Sequence, residues 1–311
     1  MSGLALLCPG QGGQHAGMLE PLRGHAAAEA LLADAERLVP GGLRATAEQG
    51  GDRVFENRVA QPLVCAVTLA AWAALREALP APLLVAGYSL GELTAYGCAG
   101  ALAAEEAVRL AAERAAHMDG AAAVPSGLLG VRGLPRARIE ALAAAAGAEV
   151  AIDNGPDHLV LGGPAAVLPG LAEAALAAGA RTALRLPVGV AAHTSLLAAA
   201  VIPFAAALTG SDLAAPEVPV LSGVGAAPVR GRPEAVSALS RQLSRRIAWA
   251  DCLAAAAELG CTVFLELGPG AALARMAGEL LPGAAARSVA DFRSLAGAAE
   301  WVRREIEERG R

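Results

Sequence analysis

Leu83-Leu84-Val85-Ala86-Gly87-Tyr88-Ser89-Leu90-Gly91-Glu92-Leu93 decides how the rest of the chain is read. A short apolar run reads as a buried strand. It enters Gly-x-Ser-x-Gly and gives way to helix-forming residues, the strand-turn-helix context of a nucleophile elbow. The serine of such an elbow sits on a turn that leaves room only for small neighbours. Gly87 and Gly91 supply that room because neither has a Cβ. The turn lifts Ser89 Oγ above the sheet edge, with the Leu90 N–H beside it. The following helix adds its positive N-terminal end. The expected result is an exposed nucleophile next to part of an oxyanion hole.

Working outward, the N-terminal run Leu4-Ala5-Leu6-Leu7-Cys8 reads as a second short strand. It ends in Pro9-Gly10-Gln11-Gly12-Gly13-Gln14, whose glycines let the backbone approach a ligand closely. The loop lacks the Walker lysine and does not fit Gly-x-Gly-x-x-Gly, so a phosphate cradle is disfavoured. Gln11 is then the residue of interest, an amide able to donate into a site. Helical spacing predicts helices over residues 24–39 and 61–78, a helix after Ser89, and another opening at Ala103-Ala104-Glu105-Glu106. That last helix carries Arg109, Arg114, His117 and Met118.

From about residue 121 the pattern changes to strand, helix, strand, strand, helix, strand, the split βαβ or ferredoxin-like order. The expected fold is therefore α/β. An α/β-hydrolase-like large domain with a parallel sheet takes residues 1–121 and 188–311, and a small ferredoxin-like subdomain takes 122–187. An apolar strand over 188–192 is expected to return the chain to the large domain. His193 should follow it on a loop, from which a base can reach out of the sheet. It is one of five histidines.

Composition narrows the function classes. The 311 residues are 55% hydrophobic but only 3% aromatic, so Ala, Leu and Val must build the core. A net charge of −5 argues against generic nucleic-acid binding. Lysine is absent from the sequence; every basic residue is arginine. The five scattered cysteines form no C-x-x-C pair and read as buried thiols of a reducing, cytoplasmic setting, not a zinc site. The N-terminus lacks a basic n-region and reads as no signal peptide. The Ala-rich runs carry Glu or Arg at helical intervals and do not read as membrane spans.

These pieces together resemble the malonyl-CoA:acyl-carrier-protein transacylase family over essentially the whole chain. Pro9-Gly10-Gln11-Gly12 resembles its N-terminal loop, and Gly87-Tyr88-Ser89-Leu90-Gly91-Glu92 its serine elbow. Arg114 and Met118 resemble its Arg-x-x-x-Met element, Asn154-Gly155-Pro156 its Asn-x-Pro turn, and Glu266-Leu267-Gly268-Pro269-Gly270 its Glu-x-Gly-Pro-Gly end. The resemblance implies Ser89 as acyl-accepting nucleophile, His193 as its base, and Gln11 with the Leu90 N–H as oxyanion hole. It implies Arg114 as the partner of the malonate carboxylate. It also implies a backbone carbonyl near Ala248, in place of an aspartate, to orient the histidine. It implies malonyl-CoA as substrate, no bound cofactor, and a partner carrier protein bearing a phosphopantetheine-type group.

Two positions depart from the family pattern. Tyr88 stands where histidine is usual, and Ala192 stands where a larger or polar residue often precedes the histidine. The Gly-Tyr-Ser-x-Gly-Glu elbow, with Asp291-Phe292-Arg293-Ser294 and Trp301 in the tail, looks more like the transacylase subunit of biotin-independent malonate decarboxylase. That assignment leads, and it implies other malonate decarboxylase subunits as partners. The same transfer in fatty-acid or polyketide synthesis is the alternative. A serine hydrolase or thioesterase would share the elbow and base but has no evident need for a buried arginine. A non-catalytic scaffold would have no need of Ser89, His193 and Gln11. Arg241, Arg245 and Arg246 form a basic cluster that could meet carrier acids or CoA phosphates.

Overall fold

The computed structural model describes residues 2–310. β1 (Gly3–Cys8) leads through α1 (Ala26–Ala35), α2 (Leu43–Gln49) and α3 (Asn57–Leu75) to β2 (Leu84–Gly87), the strand of the elbow. α4 (Leu90–Cys98) and α5 (Ala104–Ala121) follow. The chain then forms β3 (Ser126–Arg132), α6 (Arg136–Ala145), β4 (Glu149–Asp153), β5 (His158–Pro164), α7 (Leu168–Ala177) and β6 (Thr182–Arg185). It returns through α8 (Ala198–Gly210), β7 (Val220–Leu221), β8 (Pro228–Val229), α9 (Arg232–Arg241), β9 (Ile247–Ala248) and α10 (Trp249–Glu258). β10 (Cys261–Glu266), α11 (Ala272–Leu280), β11 (Ala285–Ser288) and α12 (Leu295–Arg309) complete it.

The larger sheet has the order β11-β10-β1-β2-β7-β8. Its first five strands pair in parallel and β8 is antiparallel at the edge. Parallel strands covered on both faces read as continuous apolar runs, which is why β1 and β2 carry no alternation. Both are buried along almost their whole length. In register, Cys8 lies opposite Gly87, so the Gly10–Gly13 loop and the elbow leave the same end of neighbouring strands. That end is where open α/β sheets place their ligands.

The smaller sheet has the order β6-β3-β5-β4-β9. Its strands alternate with period two, so successive side chains face opposite ways. Leu129, Val131, Leu159 and Leu161 face α6 and α7 and form a hydrophobic cluster of their own. Leu128, Ile152 and Val160 face the main core instead. The residues of that separate cluster all fall between 129 and 183. β9 comes from beyond α9 and pairs in parallel with β4, tying the smaller sheet to that part of the chain.

Other expectations meet corrections. Residues 188–192 form no strand and lead into His193 as an irregular loop. α3 begins at Asn57 rather than at 61, with Pro62 as its sixth residue, where the missing N–H leaves the Arg58 carbonyl without its i+4 donor. α3 is long and apolar enough to cross a membrane by length and composition, but 78% of its apolar window is buried in the protein, as a core helix requires. All five cysteines are free and buried.

Candidate active site

The elbow is built from close approaches. A Cβ on Gly87 would lie 2.1 Å from the Gly91 carbonyl, and one on Gly91 would lie 1.9 Å from the Cys8 carbonyl oxygen. Ser89 sits between them at φ 57° and ψ −113°, a conformation that a residue with a Cβ rarely adopts. This turn delivers Ser89 Oγ to 2.7 Å from His193 Nε2. His193 also has positive φ, 65°. Its N–H donates to the Leu243 carbonyl at 2.8 Å, which pins the loop on which it rides.

The other ring nitrogen, His193 Nδ1, lies 2.5 Å from the Gln242 carbonyl oxygen. A carbonyl only accepts, so Nδ1 carries the proton and Nε2 turns its lone pair to the Ser89 hydroxyl. Burial pushes the His193 pKa down to about 3, helped by the Arg114 charge and opposed by the Gln242 carbonyl. The imidazole is therefore neutral near pH 7 and able to take a proton. The expected orienting carbonyl, near Ala248, is thus corrected to Gln242. Gln242 caps the C-terminus of α9, where a carbonyl has no intrahelical donor and remains free to accept. Ala248 is occupied elsewhere, pairing with Asp153 of β4 and donating its N–H to Gly223.

Gln11 and Ser89 line the same chamber. Gln11 Nε2 donates to Asn57 Oδ1 at 3.0 Å. One of the two Nε2 hydrogens is thereby used, and the other, with the backbone N–H, is free of a protein acceptor among the described residues. Among the described residues, the N–H groups of Gln11 and Leu90 donate to no protein acceptor. The Gly10–Gly13 loop is held close by contact: a Cβ on Gly10 would lie 2.7 Å from the Tyr88 carbonyl oxygen, and one on Gly13 2.2 Å from that of Pro269.

Arg114 projects inward from α5 and is 1% exposed. Nη1 donates to Gln61 Oε1 at 2.8 Å and to Met118 Sδ at 3.2 Å, and Nη2 donates to Gln242 Oε1 at 2.9 Å. Its Nε–H has no partner, and no carboxylate lies within ion-pair distance among the described residues. Burial pulls its pKa down to about 10, while Glu92 nearby pushes it up, so it stays charged at neutral pH. A buried guanidinium held only by neutral acceptors is suited to an anion brought in from outside.

Two spaces that share lining residues lie at Ser89 and His193; Arg114 lines neither and stands behind Met118, which lines the inner one. A chamber of about 50 Å³ is lined by Ser89, His193, Gln11, Tyr88, Met118 and Ala192, among others. A cleft of about 330 Å³ runs outward between the Gly10–Gly13 loop, β3, β5 and α11. Gln11, Tyr88 and Leu186 line both. Tyr88 is held there by an edge-on contact with Trp249, with ring centroids 5.3 Å apart. Asn154 and Glu266 also line the cleft.

The sequence reading missed Gln61, Gln242 and Asn57, and took Glu92 only as part of the elbow motif. Asn57 and Gln61 stand four residues apart and so share a face of α3, a polar pair on a buried apolar helix. That contrast was the available signal. Gln242 had none beyond its place between Arg241 and Arg245.

The acyl transferase domain family matches residues 5–297. The malonyl CoA-acyl carrier protein transacylase of Mycobacterium tuberculosis is 36% identical over 293 residues, covering 92% of this chain and 96% of that protein. The crystal structure of an acyl-carrier-protein S-malonyltransferase from Burkholderia pseudomallei superposes with a TM-score of 0.89 at 32% identity, covering 96% of this chain and 100% of that one. A malonyl-transacylase solved in complex with its type II polyketide acyl-carrier protein gives 0.90 at 30% identity, covering 96% and 99%.

Proposed function

This chain belongs to the acyl transferase family, and from that premise we propose that it moves a malonyl group from CoA to the thiol of an acyl carrier protein through malonyl-Ser89. The observation that carries the proposal is Arg114, a buried guanidinium without a carboxylate partner, hydrogen-bonded to the residue whose carbonyl holds His193. A hydrolase has no evident need for a cation aimed at the acyl tail. The names of the relatives favour the transacylase of fatty-acid or polyketide synthesis over the malonate decarboxylase subunit that the Tyr88 elbow first suggests.

The chemistry follows from the geometry. His193 Nε2 takes the Ser89 proton as Oγ attacks the thioester carbon. The tetrahedral oxyanion is met by the N–H groups of Leu90 and Gln11. Collapse breaks the carbon–sulfur bond, and CoA leaves as the thiol with the proton from His193. In the second half, the carrier thiol gives its proton to His193 and attacks the acyl carbon. Ser89 leaves and recovers that proton. The pantetheine arm occupies the cleft, and the malonyl carboxylate lies toward Arg114. Intact-mass spectra after mixing with malonyl-CoA should show one malonyl adduct in the wild type and none in Ser89→Ala. An adduct that persists in Ser89→Ala rejects the scheme.

A further inference from the structure

Arg114 is gripped by two glutamine oxygens, and each glutamine has a second polar residue behind it. A side-chain amide presents an oxygen on one side and an NH₂ on the other, so its orientation decides whether Arg114 meets an acceptor or a donor. The surrounding network dictates that orientation.

Behind Gln242 stands Glu92, fully buried. Its Oε2 accepts from Gln242 Nε2 at 3.1 Å and from the Gly223 N–H at 3.0 Å. Gln242 Nε2 also donates to the Ser89 carbonyl at 2.9 Å. With its NH₂ committed to two oxygens, Gln242 must turn Oε1 toward Arg114. Behind Gln61 stands Asn57, whose Oδ1 accepts from Gln61 Nε2 at 2.7 Å and from Gln11 Nε2 at 3.0 Å. Asn57 Nδ2 donates to the Ala115 carbonyl at 3.2 Å and to Asp119 Oδ1 at 2.7 Å. Flipping Asn57 would set an NH₂ against two donors and an oxygen against two acceptors. The Asn57 orientation is fixed, and it fixes Gln61 in turn.

We propose that Glu92 and Asn57 are positioning residues that set the amide orientations of Gln242 and Gln61, so that Arg114 meets two oxygens and stays aimed at the incoming acyl carboxylate. This rests on the transacylase reading and adds to it the residues that maintain its selectivity. Glu92 gives its contact in either protonation state: burial pushes its carboxyl up to about 7, yet both bonds enter through Oε2. Its other oxygen has no partner, so a second oxygen at this position answers no local hydrogen-bonding need.

The test measures kcat/KM for acylation of Ser89 by malonyl-CoA and by acetyl-CoA, and reads their ratio. Glu92→Ala and Asn57→Ala should each lower the malonyl-to-acetyl ratio about tenfold or more, the scale of a lost hydrogen bond to a charged network. Glu92→Gln can still present an oxygen to Gln242 and should restore most of that ratio. A residue that only supports the fold lowers both rates together. An unchanged ratio in either folded Ala variant therefore overturns the proposal. Should Glu92→Ala fail to fold, Asn57→Ala decides alone. Wild type and Arg114→Ala run in parallel: equal ratios in those two reject the transacylase reading itself, whereas a fall confined to Arg114→Ala rejects only the roles of Glu92 and Asn57.

Discussion

The carbonyl oxygen of Gln242 lies 2.5 Å from His193 Nδ1, on the side of the ring away from Ser89. A neutral backbone acceptor fixes the tautomer without placing a second negative charge in the site. His193→Ala removes the base and should slow Ser89 acylation by about 10²–10⁴-fold. Gln242→Ala keeps the carbonyl, so it should lose far less acylation by acetyl-CoA than His193→Ala does. Rapid-quench acylation rates check both. Equal losses in the two variants would place the orienting role in the Gln242 side chain.

Arg114→Ala should separate acyl groups. Losing one partner of a buried charge pair typically costs about 3–5 kcal/mol. Expressed in the transition state, that is roughly two to three and a half decades in rate. Malonyl transfer should fall by that order, while acetyl transfer is kept or gained, because acetyl brings no charge to pair. Steady-state transfer with both thioesters is the measurement. Equal losses would show that Arg114 supports the fold or the CoA site.

The parts of this site differ in how far sequence reveals them. The elbow motif is local: Gly87, Ser89 and Gly91 lie within five residues, and Gly87 is required by atoms of the same turn, although Gly91 is required by the Cys8 and Pro9 carbonyls at the end of β1. The α/β alternation is likewise carried by periodicity within each element. The polar relay is not local. Gln61 and Gln242 meet on Arg114 only because α3, α5 and the end of α9 pack together. No spacing within a helix announces that meeting. The Ala248 expectation went to the right region but the wrong carbonyl, because the deciding feature is a helix end. The positive φ of His193 replaces an expected strand approach and is a property of the folded loop.

Carrier docking can be tested on the basic cluster after α9. Arg241, Arg245 and Arg246 are exposed, and Arg246 lies 3.9 Å from Glu140. Arg241 and Arg245 have no acidic partner among the described residues. They flank the segment that holds His193, so a carrier bound there would sit near the site. Arg241→Ser with Arg245→Ser should raise the apparent KM for an acidic carrier at low salt and leave that for malonyl-CoA unchanged. The effect should fade toward about 0.5 M salt, as screening shortens the Debye length to a few ångströms. An unchanged carrier KM at low salt moves docking off this face.

Gly91 carries a stability prediction. Its Cβ position is blocked by the Cys8 carbonyl at 1.9 Å and the Pro9 carbonyl at 2.9 Å, both backbone atoms of the neighbouring strand end. Overpacking typically costs about 1–3 kcal/mol, and more where backbone must move. Gly91→Ala should reach or pass the upper end of that range in urea unfolding. Gly189→Ala meets open space and should change stability by less than about 1 kcal/mol. Similar values for the two would mean that the elbow yields without strain.

The buried carboxyls and His193 pull the pH dependence of stability in opposite directions. Glu266 is 1% exposed and accepts the Ala274 N–H at 2.9 Å. Burial raises its pKa from 4.5 to about 7, against the N–H groups of Ala274 and Leu273. Its folded value lies above its unfolded one, so the native state holds the extra proton between those limits. That contribution is fully present below pH 4.5 and is lost as pH rises through 7. Glu92 has the same sign and window. His193 is the reverse: its folded value of about 3 lies below the unfolded 6.5, so its contribution is present above 6.5 and lost as pH falls toward 3. Glu266→Gln removes one carboxyl and leaves the other two groups in place. The unfolding free energy of the wild type, minus that of the variant, should fall on the order of 3 kcal/mol between pH 4.5 and about 8, because a tenfold difference in proton affinity between folded and unfolded chain is worth about 1.4 kcal/mol. Urea titrations of both proteins across that range give the difference directly. A difference that stays flat with pH would mean that Glu266 ionises in the folded chain as freely as in the unfolded one.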